Sequence, residues 1–510
     1  MAVSKIRYWE ALGRRMKGEL ILPGDSTYDE HRRVWNLDVD RFPAAIARCV
    51  DEDDVRAAVR FATSMGIDDV AVRGGGHSYP GLSTCDNGLV IDLGLMHAGR
   101  IGDKNRVSLQ GGALLGHLDK LTAQIGTAVP AGVEATTGVA GLTLGGGVGI
   151  LKRRFGLTCD SLRAVRIITA DGDLVVADDN TEPELMWGLR GGGGNFGIVT
   201  EFEFQSHPIG EIQSTMLVYP LDRLAEFAAF FDEYMPSLPN DMSSCTLLPK
   251  LEPDVAQIVR GVDAAPIVNT SSMTPGDYFA VSTVWVGRAD KLAEVLAPLE
   301  DFKPVGRFVQ TFAHLDAQSR YPELGLPQSR YVRGGYLDSV RTGALLAGAE
   351  ALNEGRPRGI VLQIAAQGGA VSEVGENDSA FSSRAATYMY SIEASWSEPS
   401  KREATVGWVR EAYDPIERYA TGGNYTNIVT DEGSGDTEGI GGLPPRKERV
   451  QAVFGDEKLL RLQRLKAAWD PKNTFHLNLN VKPDPAPSTT QTKAVCRPEG
   501  TDREVTSQHP

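Results

Sequence analysis

Val72-Arg73-Gly74-Gly75-Gly76-His77-Ser78-Tyr79-Pro80-Gly81, followed by Leu89-Val90-Ile91-Asp92-Leu93, is the stretch on which the fold of this 510-residue chain turns. Upstream, residues 53–66 carry Val55, Val59 and Ala62 at helical spacing, which predicts an amphipathic helix, and Asp69 to Arg73 reads as the strand after it. The glycine triplet then ends the strand. Two more clusters follow, five glycines between Gly141 and Gly149 and four from Gly191 to Gly194, the last just before a predicted strand from Ile198 to Phe204. All three are expected at strand ends. Their flanks are aliphatic β-formers rather than Ser and Pro, so they do not read as linkers. A backbone without Cβ approaches a ligand closely, and successive N–H groups in a glycine turn form a concave donor site for which a diphosphate is the natural occupant.

Composition bounds the remaining choices. The length favours two or three substructures, and 41% hydrophobic with 23% charged residues is ordinary for a globular protein. A net charge of −15 argues against a nucleic-acid partner, which needs a basic surface. The N-terminal residues offer no signal-peptide core and no window approaches a membrane span, so a cytoplasmic protein without a membrane partner is expected. Five scattered cysteines (Cys49, Cys85, Cys159, Cys245, Cys496) and eight histidines show no metal-ligand spacing, so no metal is expected. From about residue 211 the texture changes to β-prone segments near 331–340, 359–366 and 386–396, with a helical stretch at Leu292–Leu299, which predicts a second domain. A last amphipathic helix spans 456–469 and stops at Asp470-Pro471, and the Pro, Ser and Thr tail 484–510 is expected to be disordered.

The 72–81 stretch resembles the covalent-FAD motif of the vanillyl-alcohol-oxidase superfamily, specifically its berberine-bridge-enzyme-like branch. Pro130-Ala131-Gly132, Thr137 to Gly147 and Arg154 to Leu162 resemble that branch's second flavin loop. Trp187 to Thr200 is similar to its third, and Phe475-His476-Leu477-Asn478-Leu479-Asn480-Val481-Lys482-Pro483 to its C-terminal closing strand. Four motifs in family order make a chance match improbable, whereas a dinucleotide Rossmann domain lacks its G-x-G-x-x-G spacing here. The resemblance implies an α+β fold: a two-subdomain FAD-binding domain over 1–210, a substrate domain with an antiparallel sheet covered by helices over 211–420, and a segment 421–483 returning to the FAD domain.

It also implies site residues. Arg73, Gly74, Gly75, Gly76, His77, Ser78 and Gly81 would hold FAD in the first loop, with Arg73 near the diphosphate and His77 bonded to the flavin's 8α carbon. Gly132, Thr136, Thr137, Gly138, Gly141, Leu142, Gly146, Gly147 and Gly149 belong to the second loop, Ile198 and Val199 to the third, and Asn427, Asn478 and Asn480 to the C-terminal return. Doubly linked relatives carry a cysteine where this chain has Glu134, and a carboxylate forms no thioether, so a single histidyl bond is expected. Glu134 itself reads equally as a solvated loop charge.

The protein must also supply a group that takes the substrate's proton. Gln363, Ala365 and Gln367 alternate on one strand face that the family directs toward the flavin, and Tyr425 lies in a segment, Gly422 to Ile428, like that of a family active-site tyrosine. These are the expected catalytic residues, although relatives often place a glutamate on the 363–367 strand and a second tyrosine at the position of Ile428. Tyr331, Tyr388 and Tyr390 read as core. The implied activity is an oxidase that moves two electrons from a small-molecule alcohol, sugar, phenol or natural product to dioxygen. An oxidative cyclase or oxygenating enzyme is the nearest alternative and a non-catalytic flavin-binding protein the next. A monomer or homodimer is expected.

Overall fold

A computed structural model describes residues 2–250, 277–318, 325–341, 343–352, 357, 359–428 and 446–484, without the side chains of 2–7 and 446–449. Of the expected tail, residues 485–510 fall outside the described residues.

The decisive stretch forms half of a small sheet. Ala45–Arg48, Leu89–Asp92 and Val70–Arg73 lie parallel in that order, with Glu19–Ile21 antiparallel on the outer edge. The helix joining the parallel strands, Glu52–Met65, starts where Asp51 accepts the Asp54 amide at 3.1 Å and stops at Gly66 in a left-handed conformation, φ +64°. Its apolar stripe, Val55, Ala58, Val59 and Ala62, is buried against Ala45, Val70, Leu89 and Ile91. Both parallel strands beside the helix therefore read as continuous aliphatic runs, as strands covered on two faces do.

A second sheet is antiparallel, in the order Gly99–Ile101, Arg106–Gln110, Ile198–Gln205, Leu162–Ile168, Leu174–Asp178. The third is a seven-stranded antiparallel sheet formed by Gly306–Phe312, Ile212–Pro220, Tyr278–Trp285, Met242–Leu248, Ile360–Ala366, Tyr388–Trp396 and Ser329–Leu337. Helices Leu224–Tyr234, Ala289–Asp301, Ala344–Ala351 and Arg402–Glu417 cover one face of it and share its core, in which Tyr331, Tyr388 and Tyr390 are buried. Strand parity sets the rest: Ile360, Leu362, Ile364 and Ala366 enter that core, leaving Gln363 and Ala365 on the opposite face.

Two expectations about local structure fail. The glycines from Gly145 to Gly149 follow a short helix, Val139–Leu144, rather than a strand, because the preceding Val-Ala-Gly-Leu-Thr-Leu segment closes i to i−4 bonds. Residues 475–483 pair with no sheet: Phe475 is buried in the first core and Val481 in the second, and side chains hold the segment in place. Asn195 donates to the Leu479 carbonyl at 3.2 Å and accepts the Val481 amide at 3.1 Å.

The sheet face left uncovered by helices meets the glycine-rich part of the chain through buried charge. Arg153 donates to the carbonyls of Met242 at 3.0 Å and Leu238 at 3.0 Å and also to that of Gln367. Arg384 grips Asp160 with two bonds of 3.1 and 2.6 Å. Bidentate pairs of this kind set orientation as well as energy.

Candidate active site

The first and second glycine loops touch back to back. A Cβ on Gly75 would fall 2.3 Å from the Gly138 nitrogen, and one on Gly138 would fall 2.4 Å from the Gly75 nitrogen, so only glycine at both positions lets the loops meet. Among the described residues, no acceptor takes the backbone amides of Gly74, Gly75, Gly76, His77, Ser78 and Tyr79. The turn behind them is tied off, Gly81 donating to the Ser78 carbonyl at 3.1 Å and Leu82 to the Ser78 hydroxyl at 3.1 Å. Six consecutive unsatisfied amides need an acceptor, and phosphate oxygens meet that need. Across the site, positions Gly141 and Gly194 have open space where a side chain would stand.

Two buried polar groups point the same way. Arg73 donates through Nη1 to the His31 carbonyl and lies 3.7 Å from Asp92, which leaves its Nε and Nη2 without a partner among the described residues. Asn480 Oδ1 is likewise unmatched, while Asn478 donates to the Gly194 carbonyl at 3.0 Å. The residues present therefore fit a large, diphosphate-bearing group.

Not every expected cofactor residue faces that space. A Cβ on Gly147 would strike Thr158, one on Gly146 would strike Phe381, and one on Gly149 would lie 1.5 Å from the Ala131 carbonyl, so these glycines serve the loop's own packing. At Gly132 the neighbours are Leu115 and Leu142. The side chains of Ile198 and Val199 are buried in two different cores, and only their backbone is left to meet a ligand. Leu142 is held through its carbonyl, which accepts from Asn427 at 3.1 Å.

His77 stands within this run of amides, directly after the three glycines. Its ring stacks on Trp35, with centroids 4.5 Å apart and planes 18° from parallel. Nε2 is 2.8 Å from the Thr136 hydroxyl and Nδ1 is 3.4 Å from that of Thr137. Burial, then the nearby Arg330 guanidinium, lowers its pKa to about 4, so the imidazole is neutral at physiological pH and one nitrogen keeps a free lone pair. Because the folded value lies below the unfolded one, the unfolded chain takes up the proton first. Stability linked to His77 is complete above pH 6.5 and falls as the pH drops toward 4. In the flavin-free protein, His77→Asn should flatten the decline of melting temperature between pH 6.5 and 4; an unchanged slope would show that the imidazole titrates normally.

Beside Trp35 lies a polar cluster. Tyr79 packs edge-on to the Trp35 ring and donates to Glu393 Oε2 at 3.2 Å. Gln363 donates to Glu393 Oε1 at 3.0 Å, as does the Ser391 hydroxyl at 3.1 Å. Arg330 stacks over the Trp35 ring at 4.5 Å, and Asn36 donates to the carbonyls of Tyr79 at 2.6 Å and Arg330 at 3.0 Å, pinning the first glycine loop to strand Ser329–Leu337. Burial and the Glu393 charge raise the Tyr79 phenol well above its ordinary pKa, so it stays protonated.

The expected catalytic set is thus split. Gln363 belongs to this cluster, but an amide has no basicity and it serves to hold Glu393. Gln367 does not join it: its side chain is 2% exposed, beyond the strand end and beside the Arg153 anchor. Tyr425 is also elsewhere, since its oxygen accepts from the Gly147 and Val148 amides at 3.1 and 3.0 Å and from Asn427 at 2.8 Å, and burial raises its pKa to about 12. It fastens the C-terminal return to the second loop. Trp35, Tyr79, Arg330 and Glu393 were missed. One signal was available, because Glu393 is the only acidic residue of Tyr388–Trp396, on a parity whose neighbours at 392 and 394 are apolar. Glu134, read as a possible surface charge, is 8% exposed instead.

Two stretches of the chain match known families. Residues 43–178 match the model of an FAD binding domain, and residues 424–482 match that described as berberine and berberine like. An uncharacterised FAD-linked oxidoreductase of Bacillus subtilis is 28% identical over 480 residues, covering 92% of this chain and 98% of that protein. The (R)-6-hydroxynicotine oxidase of Paenarthrobacter nicotinovorans is 39% identical over 195 residues, 38% of this chain and 42% of that one. Among solved structures, the berberine-bridge-enzyme-like protein 1 of Physcomitrella patens superposes with a TM-score of 0.76 at 22% identity, covering 92% of this chain and 97% of that chain. Among the described residues, no cluster suits a metal ion and no helix is long and apolar enough to cross a membrane.

Proposed function

Since the chain belongs to the berberine-bridge-enzyme-like branch of the FAD-linked oxidoreductases, we propose that it is an oxidase acting on a small alcohol, sugar, phenol or natural product, with FAD bonded once, through His77, and dioxygen as the final electron acceptor. The observation that carries this reading is His77 itself: a neutral, ring-stacked imidazole within a run of six amides that lack an acceptor among the described residues. FAD supplies the hydride acceptor. The chain supplies the rest. The amides of residues 74–79 and the free Arg73 donors bind the diphosphate, and Trp35 fixes the imidazole plane. Glu393, oriented by Gln363, Ser391 and Tyr79, takes the proton from the substrate's hydroxyl as the hydride leaves the adjacent carbon.

Glu134 at the cysteine position of doubly linked relatives supports a single bond. After acid denaturation the yellow colour should remain with the polypeptide, and proteolysis with mass spectrometry should find flavin only on the peptide containing His77. A flavin-cysteine peptide, or colour released from the native sequence, refutes this attachment. Anaerobic bleaching against sugars, aromatic alcohols, amines and polyketides then identifies the substrate class; one equivalent of hydrogen peroxide per turnover in air separates the oxidase from an oxygenating enzyme, and a product without a new ring separates it from a cyclase.

A further inference from the structure

Glu134 has no part in the reaction just described, yet it is buried and connected to His77. Its Oε1 accepts from the Thr136 amide at 3.1 Å and from the Thr136 hydroxyl at 3.2 Å, while Oε2 has no partner among the described residues. The Thr136 oxygen in turn is 2.8 Å from His77 Nε2. The hydroxyl has one hydrogen, and the carboxylate takes it. The oxygen is therefore left to accept, which requires the proton of the neutral imidazole to lie on Nε2 and the lone pair on Nδ1.

We propose that Glu134 and Thr136 form a proton relay for attachment of the flavin, setting the His77 tautomer and receiving its Nε2 proton as Nδ1 bonds to the flavin's 8α carbon. The inference rests on the histidyl attachment proposed above. In this step the Nδ1–C8α bond forms and a C–H bond of the 8-methyl group breaks, releasing a proton. The Nε2 proton leaves through the Thr136 hydroxyl to Glu134. The electron pair of the broken C–H bond reduces the ring system, and dioxygen removes that pair, leaving as hydrogen peroxide with the two protons. The relay matters because an imidazole alkylated at Nδ1 is cationic until Nε2 releases its proton, and the Arg330 charge nearby disfavours that cation. An ionised carboxylate two hydrogen bonds away offsets it. Burial raises the pKa of Glu134, which makes it a better proton acceptor than an exposed glutamate.

The test follows covalent attachment alone and needs no substrate. Full-length chain produced under riboflavin limitation is mixed with FAD in air, and in-gel flavin fluorescence after denaturation is recorded against time. At FAD concentrations that saturate the rate, Thr136→Val and Glu134→Gln should attach FAD about 10²-fold more slowly than the wild type, the lower range for a lost acid–base group. Thr136→Ser, which retains the hydroxyl, should attach within about twofold of the wild-type rate. Wild-type attachment rates in Thr136→Val or Glu134→Gln overturn the relay; so does equal slowing in Thr136→Ser, which would mean that packing matters and the hydroxyl does not. Should Thr136→Val not fold, Glu134→Gln decides alone. Absence of attachment in the wild type would instead sink the histidyl bond itself, so the two failures are distinct.

Discussion

Glu393→Gln is expected to slow anaerobic flavin reduction by about 10²- to 10⁴-fold, the range for losing a positioned acid–base group, with whichever compound bleaches the wild-type protein. The substitution keeps the volume of the side chain, and its amide oxygen still accepts from Gln363, now 3.0 Å away. What disappears is a basic site. Covalent flavin content should not change, because Glu393 is outside the Glu134, Thr136 and His77 chain. Moving the carboxylate one strand over, by combining Glu393→Gln with Gln363→Glu, should restore part of the rate, since strands Ile360–Ala366 and Tyr388–Trp396 place Gln363 opposite Ser391, two residues from 393. Full-speed reduction in the single variant would place the proton acceptor elsewhere.

Lys466→Met is the second large effect, and it concerns stability. Lys466 and Asp470 form an ion pair of 2.7 Å in which both side chains are fully buried. The ammonium also donates to the carbonyls of Asn195 at 2.7 Å and Phe475 at 3.0 Å, and Asp470 accepts the amides of Thr474 at 2.8 Å and Phe475 at 2.8 Å. Without the cation, a carboxylate and two carbonyls are left uncompensated in a low-dielectric site, a loss of about 3–5 kcal/mol. Because this knot holds the 475–481 segment against the third glycine loop, the variant should melt at a lower temperature and release or fail to bind FAD. An unchanged melting temperature and flavin content would show that the segment is held by Phe475 and Val481 alone.

Much of this molecule is determined locally, and that part was legible. Helix Glu52–Met65, the strands Val70–Arg73, Ile198–Gln205, Ile360–Ala366 and Tyr388–Trp396, and the face on which Gln363 stands follow from periodicity, because a period of 3.6 or 2 is written in neighbouring residues. His77 could be singled out for the same reason, since three glycines adjoin it in sequence. The glycines of the second loop were read as approaches to a ligand, and sequence could not tell where the protein itself fills the space instead. At Gly141 the space is open, whereas at Gly147 and Gly149 it is filled by Thr158 and Ala131.

The rest depended on residues hundreds of positions apart. Tyr79 reaches Glu393 across 314 residues, and Asn36 reaches Arg330 across 294. The bonds by which the Tyr425 oxygen accepts from the Gly147 and Val148 amides, more than 270 residues upstream, could not be read from its neighbours in sequence. A hydroxyl's or a carboxylate's role is decided by which partners and how much water surround it, and those are properties of packing. The sequence by itself therefore determined the strand parity, the glycine cradle and the histidine beside it. Tertiary structure decided which titratable groups share the site, because desolvation and hydrogen bonding act through space and have no period along the chain.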